Sequence, residues 1–278
     1  MSIPTSPSPA RASSPDPTAT CAGTLAGDSA CAAVSVLPSD AGGQRWLPAQ
    51  GQAQQLLVLL HGAGARGADL APLALFWQSQ FPQAVIVAPD APEPLDGDRA
   101  GGARQWFAQQ GIDGVDWPAQ VDAALPGLEA WLGAQQQASG VGPAATALIG
   151  FSQGAVLALA LAQRQDGIAG RVLAFAGRYA RLPERALQYT TLHLLHGSVD
   201  AVIPVDEARR ALAHLAEIGA DATLDIVEGA GHEINAALLD CALHRLRSHI
   251  PHRTWAAAIG AVPGAGRHLR HDGDEHED

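Results

Sequence analysis

Six short apolar runs alternate with longer segments of helical periodicity, and this alternation constrains the fold more than any other feature of the sequence. The runs have the length of strands and are bounded by Gly, Pro or Asp: QLLVLL, AVIVAP, TALIG, RVLAFAG, TLHLLHG and TLDIVEG. Helical spacing is clear in the last segment, where Ile234, Leu238 and Cys241 share one side. Strands separated by helices predict βαβ units. The expected fold class is therefore α/β, a mostly parallel sheet with helices on both faces.

The two ends of the chain differ from this middle part in composition. Residues 1–45 are rich in Pro, Ser and Ala and lack the basic start and continuous apolar core of a signal peptide. Residues 256–278 are acidic and contain histidines, a composition typical of a solvated tail rather than a metal site. We expect disordered extensions at 1–45 and 256–278 around one folded domain at 46–255. No membrane span is expected, because no run of eighteen apolar residues occurs.

Composition argues against several classes of function. The formal net charge of -11 disfavours nucleic acid or an anionic membrane surface as the main partner. All 17 basic residues are arginine, so no lysine is present for a Schiff base or a phosphate-binding loop. Cys21, Cys31 and Cys241 form no C-x-x-C pair, which argues against a disulfide scaffold and a cysteine metal site. We expect a cytoplasmic protein without stable membrane insertion.

A single hydroxyl stands at the junction between the third apolar run and the helical segment that follows it. The sequence GFSQG places Ser152 between Gly150 and Gly154 in a G-x-S-x-G pattern. In a nucleophile elbow, such a serine occupies a sharp strand-to-helix turn and projects away from the sheet. A Cβ at either glycine would crowd the turn, and the helix start adds a positive field. We predict that Ser152 is a nucleophile; the alternative is a small-residue turn that packs helix on strand.

A serine nucleophile needs a base, and in this architecture the chain order is serine, acid, histidine. His232 lies in the Gly-rich loop EGAGHEI after the last predicted strand and is the predicted base. His196 is its rival but precedes the best acid. Asp200, in the loop after TLHLLHG, is the predicted acid, which would hold the imidazole tautomer and stabilise the imidazolium. The competing acids fall at a helix start, in a turn or on the last strand: Asp206, Asp221, Asp225 and Glu228.

Two further groups complete the predicted site. The backbone N–H of Gln153, directly after the serine, is one expected oxyanion donor, and that of Ala63 in the loop HGAG after the first strand is the other. His61 in the same loop is predicted to be structural. Trp106 and Phe107, in GGARQWFAQQGI, are candidate walls of an acyl pocket, with packing under a long loop as the alternative.

Five motifs together resemble a known family. LLHGAGARG, ARQWF, ALIGFSQGA, HGSVDAVIP and DIVEGAGHEI occur in the order seen in the α/β-hydrolase carboxylesterase/phospholipase family, which includes acyl-protein thioesterases. The match looks best to a small bacterial esterase of that family and covers about residues 50 to 252. The resemblance implies the α/β-hydrolase fold, the triad and oxyanion donors named above, and neither a metal nor an organic cofactor.

The hypothesis from the sequence is a serine carboxylesterase that hydrolyses short- to medium-chain esters through an acyl-enzyme. The link from RVLAFAG to TLHLLHG is too short for an inserted lid domain, which favours small substrates over emulsified fat. Alternatives within the family are an acyl thioesterase and a lysophospholipase. An alternative of another class is a non-catalytic binding protein of the same fold. The expected partner is a small-molecule ester or thioester, and the oligomeric state stays open, a homodimer included.

Overall fold

The computed structural model describes residues 42–98, 101–108 and 117–258. The strands in these residues are β1 Gly43–Trp46, β2 Gln55–Leu60, β3 Ala84–Pro89, β4 Glu93–Pro94, β5 Arg104–Gln105, β6 Thr146–Phe151, β7 Arg171–Phe175, β8 Thr191–Gly197 and β9 Ala222–Val227. The helices are α1 Ala71–Gln80, α2 Trp117–Ser139, α3 Gln153–Arg164, α4 Val205–Glu217, α5 Ala236–Ser248 and α6 His252–Ala258.

Seven of the strands form one sheet in the order β1-β3-β2-β6-β7-β8-β9. The strand β1 runs antiparallel to β3, and all other neighbours are parallel. The two short strands β4 and β5 pair separately as an antiparallel ribbon. Each of the six predicted runs forms a strand of the large sheet, and the mostly parallel α/β class is confirmed.

The side chains of the central strands alternate between two apolar layers, as the two-residue period of a strand requires. On β2, Leu57 packs on the side that also holds Trp77 of α1 and Leu238 of α5. Val58 points the other way, into the layer that contains Leu128 of α2 and residues of α3 and α4. Both faces of the sheet are therefore covered by helices. The edge at which the strands end is the place that remains for a polar site.

The folded part begins before its predicted boundary at 46. Gly43–Trp46 is a strand although its sequence, GQRW, is mostly exposed and carries no apolar alternation. Its backbone hydrogen bonds to the edge of β3 hold it, which composition alone does not reveal. At the other end, α6 runs to Ala258 and crosses the predicted boundary at 255. The rest of both predicted extensions, 1–41 and 259–278, lies outside the described residues.

The strand order creates a crevice at the carboxyl ends of β2 and β6. From β2 the sheet extends to β3 on one side and to β6 on the other, so two loops separate at the carboxyl ends of β2 and β6. Ligand sites in open parallel sheets lie at such switch points. The link between β7 and β8, residues 176–190, contains no helix or strand, as its length predicts. Across the described ranges, every helix is too short or too polar to cross a bilayer.

Candidate active site

Ser152 occupies a strained turn between β6 and α3. Its backbone adopts φ 52 and ψ -116, and it is one of two non-glycine residues in the described part of the chain with positive φ. Such a conformation costs about 1–3 kcal/mol and persists only where the surroundings impose it. Its N–H donates to Phe175 O at 3.0 Å, which ties the turn to β7.

The two glycines of the motif are required by close backbone approach. A Cβ on Gly150 would lie 2.4 Å from Gly154 O, and a Cβ on Gly154 would lie 2.2 Å from Leu60 O. Side chains at these positions would push α3 away from β6 and from the end of β2. The G-x-S-x-G pattern therefore allows the serine to sit at the start of a helix pressed against two strands.

The structure brings Ser152, His232 and Asp200 together from three separate loops. His232 Nε2 lies 3.0 Å from Ser152 Oγ, and His232 Nδ1 lies 2.8 Å from Asp200 Oδ2. The loop with His232 can approach the end of β8 because Gly197 has no side chain; a Cβ there would lie 2.3 Å from Ala230 O. The imidazole is thus placed between a hydroxyl and a carboxylate, with one ring nitrogen facing each.

The Asp200 carboxylate is fully buried and well supplied with hydrogen bonds. Its Oδ1 accepts from the backbone N–H groups of Val202 at 2.8 Å and Ile203 at 2.9 Å. Burial by itself raises the pKa of Asp200, but the hydrogen bonds from His232, Ile203 and Val202 more than offset it, so the pKa lies below its usual value. The group is therefore an anion at neutral pH, suited to orient an imidazole and to stabilise its cation.

The rival His196 and the loop residue His61 are held by other groups, although His196 Nε2 also lies 3.4 Å from Asp200 Oδ2. His196 Nε2 lies 2.8 Å from Ile203 O, which can only accept, so this nitrogen carries the proton and donates. His61 is fully buried; its Nε2 accepts from Ala91 N–H at 3.0 Å, and its Nδ1 lies 2.7 Å from Gly62 O. Burial lowers the pKa of His61, which keeps it neutral. Both side chains hold loops of the site in place.

Three of the four competing acids pair with other groups or lie at another edge of the sheet, and Glu228 is exposed directly after β9. Asp206 is exposed and pairs with Arg209 at 2.8 Å on α4. Asp225 pairs through both oxygens with Arg245, at 2.8 Å each. Asp221 precedes β9 and so lies at the opposite edge of the sheet.

The predicted oxyanion donors lie in segments that meet at the serine. In the described residues, neither the N–H of Ala63 nor that of Gln153 donates a hydrogen bond. The loop of Ala63 is close to the turn, because a Cβ built on its neighbour Gly62 would lie 3.3 Å from Ser152 Cβ. Within the described part of the chain, both N–H groups are therefore unpaired, in segments that lie next to Ser152.

The side chain of Gln153 forms two hydrogen bonds to the segment that contains Trp106 and Phe107. Its Oε1 accepts from Trp106 N–H, and its Nε2 donates to Phe107 O, both at 2.7 Å. These hydrogen bonds fix the segment ARQWF against the start of α3. The sequence predicted a role only for the backbone of Gln153, because a side chain that bridges to a distant loop leaves no local pattern.

A cavity of about 280 Å³ opens at Ser152. Its apolar wall consists of Phe107, Trp117, Val156, Val202, Ile203 and Pro204. Phe107 thus lies where the sequence predicted a pocket wall. Trp106 lies in a different depression, with Glu93 and Pro94, and its indole N–H donates to His61 O at 2.9 Å. It supports the loop of Ala63 instead of lining the cavity.

Arg178 also lines the cavity, and the sequence analysis did not single it out. Its guanidinium carbon lies 4.4 Å from the centroid of the Trp117 ring. An arginine a few residues after a strand belongs to no motif; only its place at the carboxyl end of β7, next to the serine strand, could have marked it. In the described residues, no group of three or more His, Cys, Asp or Glu side chains is arranged to hold a metal ion.

Comparison with known proteins gives one consistent result. The sequence profile of a family described as Phospholipase/Carboxylesterase matches residues 46–250. Esterase YpfH of Escherichia coli (strain K12) is 44% identical over 213 residues, which cover 76% of this chain and 90% of that protein. Acyl-protein thioesterase 1 of Saccharomyces cerevisiae (strain ATCC 204508 / S288c) is 30% identical over 174 residues, 55% of this chain and 73% of that protein.

Solved structures agree with the sequence matches. The crystal structure of esterase PE8 superposes with a TM-score of 0.68 at 36% identity, covering 75% of this chain and 98% of that one. The family match, residues 46–250, contains the strands β2 to β9 and the three loops of the site.

Proposed function

The chain belongs to the phospholipase/carboxylesterase family and is a carboxylesterase-type hydrolase of the α/β-hydrolase fold, and from that premise we propose that Ser152, His232 and Asp200 form its catalytic triad. The observation that carries the proposal is the pair of short distances at His232, 3.0 Å to Ser152 Oγ and 2.8 Å to Asp200 Oδ2. Nucleophile and base are within hydrogen-bond reach, and a buried carboxylate orients the base.

In the proposed reaction, Ser152 Oγ attacks the ester carbonyl carbon while His232 Nε2 takes the hydroxyl proton. The negative charge that develops on the carbonyl oxygen is stabilised by the N–H groups of Ala63 and Gln153, helped by the N-terminus of α3. The tetrahedral intermediate collapses, and His232 returns the proton to the leaving alcohol. Water, activated by the same imidazole, then hydrolyses the acyl-enzyme and restores the serine.

The cavity supports small substrates. A volume of about 280 Å³ with a mostly apolar wall suits a short or medium acyl group. The similarity to an acyl-protein thioesterase favours a thioester as second candidate, because attack on the carbonyl carbon is the same for oxygen and sulfur esters. The cytoplasmic location and a homodimer stay predictions.

Replacement of the nucleophile tests the proposal. We expect Ser152→Ala to lower kcat/KM for 4-nitrophenyl esters by about 10⁴-fold or more, because the remaining donors cannot form the acyl-enzyme. A fluorophosphonate should label the wild-type chain at the peptide that contains Ser152 and leave the variant unlabelled. A series of acyl lengths, and matched oxygen and sulfur esters, measured in the same assay would identify the substrate class.

Ser79→Ala is the matched control, because Ser79 is exposed on α1 and its side-chain hydrogen bonds among the described residues stay within that helix, to Phe76 O and from Gln80 Nε2. It should react and turn over like wild type. If wild type and Ser152→Ala were equally inactive on a broad panel of esters and thioesters, a non-catalytic binding protein would replace the present proposal.

A further inference from the structure

Arg178 places a positive charge in the cavity at Ser152. In the described residues it makes no ion pair with a carboxylate; its guanidinium carbon lies over the ring of Trp117, 4.4 Å from the centroid. Stacking on an aromatic ring leaves the N–H groups at the edge of a guanidinium available to other partners. Since no carboxylate of the described ranges pairs with it, this half-buried cation beside Ser152 has its charge available for a ligand.

The backbone that carries Arg178 is strained. Ala176, two residues earlier, has φ 48, and with Ser152 it completes the pair of non-glycine residues with positive φ in the described chain. The turn is fixed from both sides: Ala176 N–H donates to Leu195 O at 2.8 Å, and a Cβ on Gly177 would lie 2.5 Å from Ala155 Cβ.

Strain of this kind persists where the fold imposes it, and it is concentrated at functional sites. One strained turn presents the hydroxyl and the other leads into the cation, and both open on the same cavity. The strain at Ala176, like the strain at Ser152, therefore indicates a functional role.

A second arginine in the same loop, Arg181, occupies an ordinary surface position. Arg181 lies three residues further on, is more than half exposed, and pairs with Asp122 at 3.5 Å. It lines a different depression, together with Pro183 and Glu184. Of these two arginines close in sequence, the one without a carboxylate partner is the one in the cavity of the serine.

We infer that Arg178 selects esters that carry a negative charge, a carboxylate or phosphate, within reach of the scissile bond. The inference rests on the proposed function, since it assumes that the scissile carbonyl is held at Ser152. The apolar wall takes the hydrocarbon part of such a substrate, and the guanidinium pairs with its anionic group in a partly desolvated setting, where charge-assisted hydrogen bonds are strongest. The substrate class is an amphipathic, anionic ester rather than a neutral acyl ester.

Two matched pairs of esters test the inference with the full-length chain. In the acyl pair, 4-nitrophenyl hexanoate is compared with the mono-4-nitrophenyl ester of hexanedioic acid. In the leaving-group pair, methyl 4-acetoxybenzoate is compared with 4-acetoxybenzoate. We expect Arg178→Gln to lower kcat/KM for the charged member of at least one pair by about tenfold relative to its neutral partner. Arg178→Lys should retain part of the preference, and Arg181→Gln should leave both pairs unchanged.

The outcomes separate the inference from the proposed function. Equal loss on charged and neutral esters would make Arg178 a structural support of Trp117 and would overturn the inference, as would no loss on either. In both cases, hydrolysis of neutral esters that disappears in Ser152→Ala would still uphold the proposed function. Wild type inactive on all four esters would overturn both.

Discussion

Two aspartate–histidine pairs of the described residues have nearly the same separation and lie at opposite edges of the sheet, one through Nδ1 of His232 and the other through Nε2 of His249. The serine-side pair, Asp200 and His232, lies at the carboxyl ends of the strands with a separation of 2.8 Å. The far-edge pair, Asp221 and His249, lies at the amino ends with a separation of 2.9 Å. In both pairs, burial raises the pKa of the carboxyl group and hydrogen bonds more than offset it, so the pKa is lowered. The contact between carboxylate and imidazole is therefore not what distinguishes a reactive site.

The two pairs differ in the position of the hydroxyl group that lies next to them. In the serine-side pair, the carboxylate holds one ring nitrogen and leaves the other 3.0 Å from Ser152 Oγ, beside a cavity. In the far-edge pair, the nearest hydroxyl, Thr191 Oγ1, donates to the carboxylate of Asp221 at 2.8 Å, where no imidazole can take its proton. Asp221 also accepts from the backbone N–H of His252 at 3.2 Å. The far-edge pair thus joins the start of β8 to the end of α5 and the start of α6, which is a structural role.

Replacing the carboxylate of each pair by an amide tests whether the two pairs have different roles. We expect Asp200→Asn to lower kcat by about 10³-fold or more, because an amide that faces the imidazole favours the wrong tautomer and cannot stabilise its cation. The asparagine Oδ1 can still accept from Val202 and Ile203, so the fold should persist. Steady-state kinetics with a neutral ester and a thermal melt measure the two effects. A rate within threefold of wild type would remove Asp200 from the triad.

The second prediction concerns the far-edge pair. Asp221→Asn should lower the free energy of unfolding by about 2 kcal/mol, because it replaces charge-assisted hydrogen bonds from Thr191 and His249. Turnover per folded molecule should stay within twofold of wild type. The lowered pKa means that this stabilisation is present above the ordinary carboxyl pKa and is lost as the pH falls through the folded-state value.

Urea unfolding at pH 7, with activity measured before denaturation, tests this expectation. Asp206→Asn is the matched control, because its ion pair with Arg209 on α4 is exposed and should contribute less than about 1 kcal/mol. Loss of turnover in Asp221→Asn at full stability would mean that the far edge takes part in the reaction.

The same contrast explains how much of the molecule the sequence could predict. The serine-side residues were predictable because each follows a strand in a loop, and the carboxyl ends of parallel strands meet at one edge. The structure places Asp221 in the link between α4 and β9 and His249 directly after α5. That they meet was not predictable, because it depends on how α5 packs across the sheet.

Other elements escaped prediction for physical reasons of their own. The strand β1 is held by backbone hydrogen bonds and shows no apolar alternation. The helix α1 buries only two of its ten residues, Ala74 and Trp77, so its periodicity is weak. Arg178 carries no motif, and its position depends on a strained turn after β7. Tertiary contacts, rather than local patterns, decide all three.

The third prediction concerns His193, which packs against His249 with ring centroids 5.2 Å apart. Burial, with the charges of His249, Arg171 and Arg245, lowers the pKa of His193 to about 3, while the carboxylate of Asp221 opposes the shift. Between about pH 3 and about pH 6.5, His193 binds a proton in the unfolded chain but not in the folded chain. The free energy of unfolding therefore falls by roughly 2 kcal/mol from pH 7 to pH 5.

His193→Asn keeps a partner for Thr223, which lies 2.9 Å from His193 Nδ1, and removes the titration. The variant should therefore lose about 2 kcal/mol less stability than wild type between pH 7 and pH 5 in urea unfolding, whatever its stability at pH 7. The exposed His244, replaced by Gln, controls for the loss of a histidine on the adjoining helix. Equal pH slopes for wild type and His193→Asn would show that another group accounts for the loss of stability between pH 7 and pH 5.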